Sequence, residues 1–155
     1  MKQAIEEWWF LIWITFVATM ILSAVIYRRW LGLNFFRPKF TNPLFEETWQ
    51  SGRSLRNIFS RFGGANSCLW IVVANGTLHI GPHFPFNVFV TGFYGLEQKI
   101  PVDKIIAVEK INRLFRKPAV RIDFRQDLIG EEAFEIVCNQ SDKLVTVLNE
   151  IRSKS

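Results

Sequence analysis

The sequence predicts one membrane-spanning helix followed by a small, mainly-β domain of about seven antiparallel strands, with one amphipathic helix at its C-terminal end. Three observations predict it. The stretch Trp8 to Tyr27, WWFLIWITFVATMILSAVIY, holds no Asp, Glu, Lys or Arg. From Ser67 onward, short apolar runs rich in β-branched and aromatic residues alternate with Gly, Pro and Asn-Gly breakers. At the C-terminal end the period changes, and Leu144, Leu148 and Ile151 fall at helical spacing.

The N-terminal stretch has the length of a membrane span. Twenty residues of helix rise roughly 30 Å, the thickness of a bilayer hydrocarbon core. A helix bonds all its backbone groups internally, as lipid requires. Trp8, Trp9 and Trp13 stand at one end, with Tyr27 and Trp30 at the other, as an aromatic belt would place them. It reads as a retained anchor rather than a cleaved secretory signal. Glu6-Glu7 precede it, the apolar run exceeds the about 7–15 residues of a signal core, and bulky Tyr27-Arg28-Arg29-Trp30 follow.

Charge orients the span. The chain carries a net +5, but residues 28–45 alone hold Arg28, Arg29, Arg37 and Lys39 with no acid among them. Only Lys2 precedes the span. The positive-inside bias therefore predicts a single-pass protein of a bacterial inner membrane with its C-terminal domain in the cytoplasm. The rest of the chain is close to balanced, which argues against a nucleic-acid partner, since that electrostatic footprint belongs on a folded domain. Cys68 and Cys138 fit a reducing compartment and form no C-x-x-C motif. A disulfide between them would require the domain to lie outside.

Residues 1–30 are thus the tail and transmembrane helix, 31–58 a juxtamembrane basic and aromatic linker, and 59–155 the β domain with its C-terminal helix. In the linker, Gly32, Pro38 and Pro43 prevent a long helix. Its Phe residues suit either of two roles: rings in the headgroup region beside cations, or a tether packed on the domain.

In the domain, Cys68 to Ala74 is an apolar run expected to be a buried strand. Asn75-Gly76 gives the strongest short hairpin signal, and Thr77 to Gly81 alternates with Leu78 and Ile80 inward. Further strands are expected at 88–91, 96–100, 105–111, 119–124 and 133–138. Ser141 is the expected N-cap of the final helix, and Arg152 and Lys154 suit the negative end of its dipole.

The segments Gly76-Thr-Leu-His-Ile80, Lys99-Ile-Pro-Val-Asp-Lys-Ile105, Val120-Arg-Ile-Asp-Phe124 and Phe134-Glu-Ile136, with the helix 141–151, carry a family resemblance. In this order, over about residues 59–151, they resemble a pleckstrin-homology-like (PH-like) domain of the bacterial PH and GRAM-like kind. The resemblance implies a partly open barrel capped by the helix, and a non-enzymatic module that associates with membranes or proteins. Such domains bind inositol phosphates through Lys and Arg clustered at the first hairpin. This chain has none there.

Residues 62–96 contain no charged side chain at all. Their middle is aromatic yet broken by Gly81, Pro82, Pro85, Gly92 and Gly95, so it cannot be a second span. Phe84, Phe86, Phe89 and Phe93 are either core residues or an exposed loop meeting the bilayer or a partner. With Arg28, Arg29, Arg37 and Lys39 as headgroup cations, they are the candidate contact residues. His79 and His83 are too few for a zinc site, and Arg113, Arg116 and Lys117 read either as a solvated turn or as a contact for anionic headgroups.

No hydrolase, kinase, nucleotide-binding or zinc-protease motif occurs, so no enzyme, cofactor or metal is expected. The expected function is a membrane-anchored cytoplasmic interaction or scaffold module, its partners the lipid bilayer and a protein or a second copy of itself. The rival reading is a closed β domain whose Phe-rich interior holds a lipid chain or another small apolar ligand.

Overall fold

The computed structural model describes residues 2–30, 36–56, 64–87, 96–112, 117–126 and 130–154, with side chains from Trp8 onward. Its first element is the expected apolar helix, α1 (Lys2–Trp30). Among the described residues it is the one helix long and apolar enough to cross a membrane, over Trp8–Trp30. Positions 8–23 are open to the surroundings all round, as a lipid-facing helix would be. The two threonine hydroxyls within the span are satisfied internally. Thr15 Oγ1 donates to the Leu11 carbonyl at 2.8 Å and Thr19 Oγ1 to that of Thr15 at 2.7 Å.

Seven strands follow: β1 (Phe45–Ser54), β2 (Ala65–Ala74), β3 (Thr77–Pro82), β4 (Gln98–Pro101), β5 (Ile105–Ile111), β6 (Ala119–Gln126) and β7 (Gly130–Val137). They form one antiparallel sheet in the order β4-β3-β2-β1-β7-β6-β5. Neighbours in sequence pair along each half, and β1 joins the halves by pairing with both β2 and β7. β4 and β5 form the two ends of the sheet, so it does not close into a barrel. A short 3-10 turn, Val102–Lys104, links them, and the Val102 amide donates to the Gly76 carbonyl at 2.9 Å.

The Asn75-Gly76 hairpin forms as expected, with φ of 51° and 68° suiting the twist of the strands it joins. Leu78 and Ile80 face inward, again as expected. The core also takes Leu69, Ile71 and Val73 from β2, and Ile122, Phe124, Phe134 and Ile136 from the other half-sheet. β2 is buried on both faces because Trp70, Val72 and Ala74 pack under Phe40 on the outer side. This accounts for its unbroken apolar run.

The linker assignment is corrected here. Phe45–Ser54, placed by sequence in a 31–58 tether, is the central strand of the sheet, and the folded unit begins before residue 59. FEETWQSGRS hid its period because a bulge interrupts it. Glu47 pairs with Ile71 and Gln50 with Leu69, so one extra residue is looped out. Gly52 lies where β1 is squeezed between both neighbours. A Cβ there would stand 2.8 Å from Leu69 Cδ1 and 2.9 Å from Phe134 Cε1. The strand expected at 88–91 lies outside the described residues.

The final helix, α2 (Ser141–Arg152), buries Leu144 and Leu148 against the core. Its N-cap is Gln140 rather than Ser141, with no side-chain cap of its own. The cap comes from β1. Glu47 accepts hydrogen bonds from the amides of Asn139 (3.2 Å) and Gln140 (3.1 Å), placing a carboxylate at the positive end of the helix. At the other end Arg152 Nη1 donates to the Ile106 carbonyl at 2.9 Å. Glu47→Ala leaves these amides without an acceptor and should cost about 1–3 kcal/mol. Glu47→Gln, which keeps an acceptor oxygen, should cost less. Denaturant unfolding of the detergent-solubilised chain checks both.

Candidate membrane-proximal site

The last two turns of α1 dock on the domain. Ala24 and Val25 are partly covered, and Arg28, one turn further on, is only 2% exposed. Its Nη1 donates to the Asn87 carbonyl at 3.1 Å and to Glu97 Oε2 at 3.2 Å, which makes an ion pair with a carboxylate 28% exposed. Asn87 ends the described part of the loop after β3, and Glu97 directly precedes β4. The anchor is thus tied by charge to the β3–β4 side of the sheet.

From residue 36 the chain crosses the outer face of β2 and β3. Phe40 packs 4.7 Å from the His79 ring and 6.3 Å from Trp70. Arg37 pairs with Glu46 at 2.6 Å, and the Leu44 amide bonds the Val73 carbonyl at 2.9 Å. Gly81 allows this face to pack closely, since a Cβ there would lie 2.6 Å from Trp70 Cζ2. The packed-tether reading of the linker holds for some of its rings. Phe40 and Phe45 pack on the domain, whereas Phe36 is exposed.

Between this segment and the sheet lies a groove of about 490 Å³, lined by Arg28, Arg37, Phe36, Phe40, Trp70, His79, Glu97 and Lys99 among others. His79 and Lys99 are directly opposed across β3 and β4. Burial, and then the Lys99 charge, hold the His79 imidazolium below its usual range. His83 is lowered likewise, by burial first and by Arg37 second.

Phe84 and Phe86 are exposed, by 54% and 45%, so these two rings are not core. Phe84 lies 5.7 Å from Phe36, and the adjoining His83 stacks on Trp49 at 4.4 Å. Trp49 is the bulged residue of β1. Its φ of 61° turns a bulky side chain outward, where it is 58% exposed. Trp49, Phe36, Phe84 and Phe86 therefore belong to one aromatic surface beside the helix end. Phe89 and Phe93 lie outside the described residues.

The four candidate cations divide. Arg28 is corrected: buried in its ion pair, it is a structural joint and not a headgroup contact. Arg37 is engaged by Glu46, and Arg29 and Lys39 are exposed. Of the second basic cluster, Arg113 and Arg116 lie outside the described residues, while Lys117 donates to Asn139 Oδ1 at 3.0 Å.

Sequence reading missed Trp49, Glu97 and Lys99. The Asn-Gly hairpin held a usable signal, because with Leu78 and Ile80 inward, His79 must face outward. It also missed a groove of about 960 Å³ on the other half-sheet. Its lining sets Arg53, Arg56 and Arg121 against Asp123, Glu131 and Glu132. Paired charges of both signs leave it no preference for an ion.

Neither cysteine offers a ready thiolate. Burial pushes the Cys138 thiol up to about 12, helped by the Glu47 and Asp142 charges, and burial raises Cys68 as well. Both are free and buried. No cluster of metal-ligating side chains occurs among the described residues. The chain matches no protein-family model and no curated protein.

Two outcomes follow from this site. Arg28→Met should lower stability by about 1–3 kcal/mol through the stranded Glu97 carboxylate and Asn87 carbonyl, and adding Glu97→Gln should restore part of that loss. A double-mutant cycle by thermal unfolding in detergent measures the coupling. Because the folded state holds both histidines below their unfolded pKa, their stabilising contribution is full above about pH 6.5. It is lost as pH falls through the lowered values. The thermal midpoint should drop between pH 7 and 5, and His79→Gln with His83→Gln should flatten that drop.

Proposed function

We propose that this chain is a membrane-anchored, non-enzymatic interaction module, with its PH-like domain held in the cytoplasm against the inner face of a bacterial membrane. One observation carries the reading. The exposed rings of Phe36, Phe84 and Phe86 lie at the end of the domain where Arg28 ties down the membrane helix. A soluble surface would not gather such rings without something to cover them. Here the nearest apolar phase is the lipid that holds α1.

The energies suit orientation rather than attachment. Burying the exposed part of each ring contributes about 1 kcal/mol, and Arg29 and Lys39 near anionic lipid contribute about 1 kcal/mol apiece. Such terms would scarcely hold a free domain on a bilayer. On a domain already tethered there, they are enough to fix which face it turns to the lipid. Among the described residues, the side chains of twenty buried core residues fill the interior of the sheet, which favours this reading over a ligand-filled barrel.

Replacing Phe86 by cysteine and attaching an environment-sensitive fluorophore tests it, because Cys68 and Cys138 are buried and resist labelling. In vesicles, emission from position 86 should shift to the blue and be quenched by lipids carrying a shallow quencher. The same probe at Glu150, exposed on α2, should report water. Equal, aqueous emission at both positions would overturn the reading. Phe84→Asp with Phe86→Asp should fold normally, since neither ring is core, and release this face from the membrane.

A further inference from the structure

The geometry points to the groove between the juxtamembrane segment and the outer face of β2–β4 as a binding site for the phosphate headgroup of one anionic phospholipid. The inference rests on the bilayer contact proposed above and names the ligand taken at that contact.

Three features carry it. First, the charge is unbalanced. Arg28, Arg37 and Lys99 line the groove; Arg28 is neutralised by Glu97, the one acid of the lining, which leaves Arg37 and Lys99. Arg37 also meets Glu46 outside the lining, but Lys99 is exposed and has no ion-pair partner among the described residues. Second, the donors converge. His79 and Lys99 oppose each other in register on the outer face, and the His79 ring makes no hydrogen bond among the described residues. An ammonium and a neutral imidazole N–H, side by side with a guanidinium beyond, suit the spread oxygens of a phosphate. Third, the walls are amphipathic. Phe36, Phe40 and Trp70 supply apolar surface for the glycerol and upper acyl carbons, while Arg28 places the groove at the end of the span. Its volume of about 490 Å³ lies in the range of small-molecule sites. A free phosphate compound shares the headgroup's chemistry, but it would leave the aromatic walls uncovered.

Native mass spectrometry of the full chain released from neutral detergent tests the assignment. The probes are short-chain phosphatidylglycerol, short-chain phosphatidylcholine and glycerol phosphate. One phosphatidylglycerol should bind per chain, with roughly tenfold preference over phosphatidylcholine. Lys99→Glu should remove that preference. Lys143→Glu, an equal charge change on exposed α2, should retain it. Equal binding of the two lipids, or a preference that survives Lys99→Glu, would overturn the proposal. Glycerol phosphate binding as tightly as the lipid would overturn the lipid as the source. A flat titration with the position-86 fluorophore still in lipid defeats the groove alone. A lipid preference with that fluorophore in water defeats the loop contact and leaves the groove standing.

Discussion

A guanidinium withdrawn from water at the end of an apolar helix must find its counter-charge inside the protein, and Arg28 finds it on Glu97. That requirement places the other parts of the membrane-proximal end. It brings the loop after β3 under the helix through the Asn87 carbonyl, and it fixes β4 beside the anchor. The segment 36–44 is then laid over the outer face of β2, where Phe40 covers Trp70. Helix, segment and half-sheet form one unit because a charge in low dielectric is costly to leave alone.

The second constraint is the position of β1. Among the described strands it is the one that hydrogen-bonds to both half-sheets, and its Glu47 reaches the amides that open α2. The same strand carries the bulge that aims Trp49 at the surface. A ten-residue strand thus joins two half-sheets, caps a helix and presents a ring. It combines these roles because its polar residues, unlike those of β2, are not all turned to solvent: Glu47, Gln50 and Ser54 are buried.

This explains which parts of the fold were legible in sequence. The span, the Asn-Gly hairpin, the run of β2, strands β5 and β6, and the helical spacing of α2 are local patterns. Each follows from a period or a turn residue. β1 broke its period with a bulge and filled its inner positions with polar residues whose partners lie far along the chain. Glu47 meets Gln140, 93 positions later, and a local window cannot see that. The candidate site divides in the same way. Phe84 and Phe86 stood out because Gly and Pro surround them, with core and surface both left open to them, whereas Arg28 misled because its acid sits 69 residues away. Lys99 joined the site only through its register with His79, which required the β3–β4 pairing to be known.

The open sheet bears on any chain that a membrane-spanning helix confines to two dimensions, and α1 is long and apolar enough to be one. Chains held in a membrane meet far more often than chains in solution, and unpaired strand edges are templates for fusing neighbours into larger sheets. Here one terminal strand is only four residues long, and on the other the Ile106 carbonyl is occupied by Arg152. The short strand and the occupied carbonyl each leave a neighbouring chain less free edge to pair with.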